Sequence, residues 1–155
     1  MPAFGESIRP YYPGLVPVEA AIWREWLREN QQNYDRFEYN VLVGEGSPLP
    51  ATRGTGNPEL DAALERAWKV STQRKIDAVG YRGSDVSIFE VKETATMGAL
   101  GQLLVYDDLL PIARPGVANV DLVCICTRLP RDLVGAFEAQ GIGVYVVTAE
   151  AIRGL

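Results

Sequence analysis

The chain has 155 residues, 47% of them hydrophobic, with 15 Lys and Arg against 20 Asp and Glu, a net charge of −5 and no histidine. That length fits one domain, residues 1–155, with a sizeable core. The acidic balance argues against a broad basic surface that coats nucleic acid, and the missing histidine removes His-based triads and Cys/His zinc sites. No apolar run approaches the ~20 residues of a membrane span. The opening MPAFGESIRPYYPG lacks a basic stretch followed by an apolar one, so a secretory signal is not expected and a cytoplasmic protein is the default.

Residues 1–16 read as an irregular arm rich in Pro and Tyr, in which Arg9, Tyr11 and Tyr12 stack on bases or, as the commoner outcome, pack. From Pro17 to Asn30 the spacing predicts a helix, with Pro17 suited to its first turn and Ile22, Trp23, Trp26 and Leu27 at core spacings. Residues 37–43, FEYNVLV, read as a strand. The Gly/Pro/Thr-rich stretch 44–58 reads as a flexible loop; it contains Arg53 and lacks the Gly-Lys-Ser/Thr ending of a phosphate loop. Asn57-Pro58 then looks like an N-cap and a first-turn Pro, opening a helix with Leu60, Leu64, Ala67 and Trp68 on one face.

Residues 75–93 read as a hairpin turning at 81–85. A helix from Thr94 to about Leu110 follows, then the nearly all-apolar strand VDLVCICT, of the kind buried on both faces. Cys124 and Cys126 in that strand are expected to be buried thiols, since neighbours two apart are poorly placed for a disulfide. RDLVGAFEAQG reads as a helix stopped by Gly141, GVYVVT as a final strand and AEAIRGL as a short tail. The expected class is α/β, a mixed sheet flanked by helices whose first three strands form an antiparallel meander.

The strand IFEVKE is otherwise apolar yet carries Glu90 and Lys92 on one face. Taken alone, such a pair usually marks a solvated face with a weak ion pair. If the hairpin pairs through its turn, Asp77 lies beside Glu90, and two neighbouring carboxylates repel unless a cation or a proton sits between them. Oxygen donors in small number suit Mg²⁺ or Mn²⁺. A lysine beside them can hold a water or neutralise charge on a phosphate oxygen. On the next helix Gln102 and Tyr106, four apart, share a face.

Ile76-Asp77, Glu90-Val91-Lys92 and the Q-x-x-x-Y of Gln102 to Tyr106 together resemble the PD-(D/E)XK nuclease superfamily, over most of the chain from Glu19 to about Val147. Ile76 stands where the motif's proline is expected. The resemblance implies a restriction-endonuclease-like core, α-β-β-β-α-β, with an extra helix before the second strand and a final α-β. It implies that Asp77, Glu90 and the Val91 carbonyl hold the metal, that Lys92 positions the attacking water, and that Gln102 and Tyr106 complete the site. An acid from the first helix is often added: Glu19 is the first choice and Glu25 the second, although a first-turn acid is also explained by the helix dipole. The implied activity is metal-dependent hydrolysis of DNA, alone, as a homodimer or in a larger DNA-processing complex. The alternative is an inactive relative serving as a structural or nucleic-acid-binding subunit. Arg53, Lys69, Arg74, Lys75 and Arg82 are the candidates for a local substrate-binding patch, and each is also explained as ordinary surface charge.

Overall fold

The computed structural model describes residues 8–50 and 54–153. Helix α1 (Pro17–Asn30) leads through a short 3-10 turn into strand β1 (Arg36–Val43). Helix α2 (Pro58–Thr72) follows, then the hairpin β2 (Arg74–Arg82) and β3 (Asp85–Val91). The remainder is α3 (Met97–Ala113), β4 (Val120–Cys126), α4 (Arg131–Ala139), β5 (Gly143–Val146) and α5 (Ala149–Arg153). The strands form one mixed five-stranded sheet in the order β1-β2-β3-β4-β5. The first three are antiparallel, and β4 and β5 join in parallel, each after a helical connection.

Sequence explains most of these boundaries. Asn57 caps α2 by accepting from the amides of Glu59 and Leu60, with Pro58 in the first turn. Gly141 ends the α4 segment at φ +67, a conformation that favours glycine. Helix α3 begins three residues later than expected. Thr94 is instead bridged to Arg128, which prolongs the sheet, and Thr96 caps the helix by accepting from the Ala99 amide. The closing tail is the short helix α5 rather than irregular chain.

The sheet buries side chains on both faces. On one, Ile22, Trp23, Trp26 and Leu27 of α1 pack with Phe89, Val91 and Ile125. Tyr12 from the N-terminal arm joins this layer, fully buried, so the packing role of the arm holds for Tyr12 while Tyr11 is exposed. On the other face, Leu103, Tyr106 and Leu110 of α3 cover Val79, Ile88, Cys124 and Cys126. Both cysteines are buried free thiols.

One irregularity matters for the site. Phe37 and Tyr39 lie on the α1 side of the sheet, whereas Val41 and Val43 lie on the α3 side. In an unbroken strand all four would share a face. The break falls at Asn40, whose φ is +52. The pairs Tyr39↔Ala78 and Val41↔Ile76 bracket Asn40 opposite Asp77, and β2 changes phase at the same place, with Ala78 on the α1 side and Ile76 on the α3 side.

Candidate active site: a buried carboxylate pair at the end of the hairpin

The register of β2 with β3, Val79↔Ile88 and Ala78↔Phe89, runs out with Asp77 and Glu90 next in line, as the hairpin reading requires. Asp77 Oδ2 accepts the Val91 amide at 2.9 Å, which fixes the carboxylate against the β3 backbone. Glu90 is 1% exposed. Its Oε1 lies 3.3 Å from Lys92 Nζ, and its Oε2 is buried with no hydrogen-bond partner. An unsatisfied buried carboxylate oxygen is costly, and here it sits beside a second carboxylate.

The electrostatics follow. Burial, against the opposing Val91 amide, pushes Asp77 up to about 6, and the Glu19 charge adds to the rise. Burial first, then the charge of Asp77, pushes Glu90 up to about 8. Burial alone would lower Lys92, but the Glu90 charge and hydrogen bond outweigh it and hold the ammonium above its ordinary value. Tyr106 is pushed up to about 12, by burial and then by the charge of Glu90.

Helix α3 supplies the opposite wall. Gln102 Nε2 donates to the Tyr106 hydroxyl at 3.3 Å, and that hydroxyl donates to the Lys75 carbonyl at 3.0 Å. The pair therefore fixes the start of β2 rather than bonding to Lys92. A cavity of about 430 Å³ is lined by Gln73, Arg74, Lys75, Gly101, Gln102, Val105 and Tyr106, and Asp77, Glu90 and Lys92 are not among its walls.

The other expected residues divide. Glu19 Oε1 accepts the Val16 amide at 3.2 Å and caps α1, so the first-turn role is present; its charge still reaches Asp77 and Glu90. Glu25 is displaced from the site, pairing with Arg28 at 3.0 Å and lining a separate pocket with Glu29 and Tyr145. Arg82 stands at the far end of the hairpin opposite Asp85, five strand positions from Asp77 or about 16 Å. Lys69 is exposed on α2 and Arg53 lies outside the described residues. Among the described residues no three of His, Cys, Asp and Glu converge to hold a metal ion, so Glu19 does not join the pair as a third donor. Two carboxylates with one free oxygen still fit a hard divalent cation, which binds through one or two carboxylates and keeps several waters.

Asn40 escaped the sequence reading. Its signal was available: an amide in the middle of FEYNVLV, of a type depleted in strands and tolerant of positive φ. A second missed cluster lies at the opposite end of the sheet, where Glu38 accepts from Arg114 at 3.0 Å and from the Tyr81 hydroxyl while Arg36 stacks 3.7 Å over the Tyr81 ring.

No family model and no solved structure matches the chain. Curated relatives do, each called bifunctional protein GlmU. The protein of Paracidovorax citrulli is 26% identical over 133 residues, covering 77% of this chain and 26% of its own length. The proteins of Acidovorax ebreus and Acidovorax sp. are each 26% identical over 153 residues, covering 90% of this chain and 29% of their own length. The chain thus spans less than a third of the relatives it matches. These findings correct the expectation of a DNA-hydrolysing nuclease: every relative reported is a GlmU protein and no nuclease model matches.

Proposed function

We propose that this chain is a divalent-cation-dependent phosphodiesterase acting on a small phosphate diester rather than on DNA. The observation that carries the proposal is the buried Glu90 oxygen with no donor, set beside the buried carboxyl of Asp77. A cation between them would relieve both the repulsion and the missing hydrogen bond. Asp77, Glu90 and the Val91 carbonyl would hold Mg²⁺ or Mn²⁺. When bound there, such an ion would supply polarisation of a phosphoryl oxygen and a more acidic water.

The chain's own groups do the rest. Lys92 keeps its ammonium beside Glu90, where it offsets charge that develops on the phosphoryl oxygens. Arg74 and Lys75, three and two residues before Asp77 on β2, would supply positive charge for the phosphate. Gln102 and Tyr106 hold the Lys75 backbone in place. The net charge of −5 favours a small substrate over a polyanion. The finer inference about the fold, a restriction-endonuclease-like arrangement of the PD-(D/E)XK superfamily, rests on the antiparallel β1-β2-β3 meander followed by the parallel β4.

The test is hydrolysis of bis(p-nitrophenyl) phosphate and of small nucleotide diesters with Mg²⁺ or Mn²⁺, with duplex DNA as a comparison arm and calorimetric titration of the cation. Turnover of the small diesters, silenced by EDTA and reduced at least ~100-fold in Lys92→Ala, is expected. Absence of both turnover and cation binding in the wild type would overturn the reading; cleavage of DNA alone would overturn the choice of substrate.

A further inference from the structure

The sheet opens at one corner, and the candidate site sits at the opening. Continued two residues beyond Ala78↔Phe89, the register of β2 with β3 would set Ile76 against Val91. The pairing stops at Ala78 instead, and β2 goes on beside β1 as far as Arg74, opposite Val43. The Lys92 amide donates to the Ile125 carbonyl of β4, so by alternation the Val91 amide points the other way, toward β2. There it donates to the Asp77 carboxylate at 2.9 Å. A side chain stands where the next ladder carbonyl would.

The change of face falls at the same place. Strands β1 and β2 turn over together, and no residue is inserted, since Tyr39↔Ala78 and Val41↔Ile76 leave Asn40 opposite Asp77 one for one. Of these two residues Asn40 has the left-handed backbone, and among the described residues no other non-glycine has it. Such a residue bends and twists its strand, as bulges beside active sites do when they re-aim a side chain. The N-terminal arm packs against the bend. A Cβ on Gly14 would stand 2.9 Å from Asn40 Oδ1, and the buried Tyr12 ring lies 5.0 Å from that of Tyr39.

We propose that Asn40 is the positioning residue for Asp77: its left-handed backbone turns the β1–β2 pair away from β3, which frees the Asp77 carboxylate to bond the Val91 amide beside Glu90. The consequence for cation binding rests on the function proposed above; the geometric part stands without it.

Nuclear magnetic resonance of the metal-free full chain tests the geometry, through the scalar coupling that crosses a hydrogen bond, and calorimetric titration with Mn²⁺ tests the consequence. In the wild type the Val91 amide nitrogen should couple to the Asp77 carboxyl carbon. Asn40→Gly, which adopts positive φ freely, should keep that coupling and the wild-type affinity. Asn40→Val should lose the coupling and bind Mn²⁺ at least ~10-fold more weakly, while the backbone couplings across Ala78↔Phe89 persist and show the hairpin intact. Asn40→Ala, a milder change, should fall between them in affinity. A coupling from Val91 to Asp77 that survives in Asn40→Val and Asn40→Ala would overturn the proposal. So would its loss in Asn40→Gly, which would assign the effect to the amide side chain. The expected couplings in a wild type that binds no Mn²⁺ would uphold the positioning role and sink the cation reading instead.

Discussion

At the scale of single residues, Glu90 is held where no unpaired carboxylate is comfortable. Its ordinary value is 4.5, and burial with the neighbouring Asp77 moves it to about 8. Glu90→Gln keeps the shape, removes the like charge and gives the buried position a donor. The metal-free protein should therefore become more stable at pH 8, by about 5 °C in its melting midpoint, while its calorimetric affinity for Mn²⁺ falls away. A midpoint that drops instead would mean that the ion pair with Lys92 outweighs the repulsion. The pair was legible in the sequence because alternation alone placed Glu90 and Lys92 on one face of an apolar strand. The mild fate of Glu19 was not: whether a first-turn acid turns inward depends on the exit direction of the preceding chain, and here the Val16 amide takes one of its oxygens.

At the scale of elements, β1 does what no period-two pattern announces. FEYNVLV is a good strand by composition, and its ends were legible to within a residue. Its change of face at Asn40 was not, because hydrophobic residues stand on both sides of the break and either phase looks acceptable. The left-handed backbone at Asn40 predicts an asymmetric response to substitution. Asn40→Gly should be nearly neutral, since glycine adopts positive φ freely. Asn40→Val should cost about 1–2 kcal/mol in denaturant unfolding, because a β-branched side chain is strained there. Equal effects would place the cost in the lost amide rather than in the backbone. Helix α2 shows a different limit: its apolar stripe was visible in sequence, yet periodicity does not say whether a stripe meets the chain's own core, and this one is exposed.

At the scale of the whole molecule, the raised pair makes stability depend on pH in a definite direction. Below pH 4.5 Glu90 is protonated whether folded or unfolded, and its contribution is fully present. Between 4.5 and about 8 the folded state holds a proton that the unfolded chain releases, so stability falls as pH rises, by roughly 1 kcal/mol per pH unit. Thermal melts of the metal-free protein should shift downward across that window. A divalent cation at about 100 times its Kd should return about 2.7 kcal/mol at pH 8. A flat pH profile would show that the pair is not strained. The expected arrangement of strands and helices emerged because alternation, caps and turn residues all pointed the same way. The expected substrate did not, because a carboxylate pair and a lysine are compatible with more than one chemistry and name no substrate.

Helix α2 also ends where the cavity begins. Thr72 closes the helix, Gln73 caps it, and Gln73, Arg74 and Lys75 then form the cavity wall on consecutive residues, with the Lys75 carbonyl bonded to Tyr106. Any displacement of the helix would thus pass along consecutive backbone to Arg74 and Lys75, with the Tyr106 bond to the Lys75 carbonyl as the first fixed point.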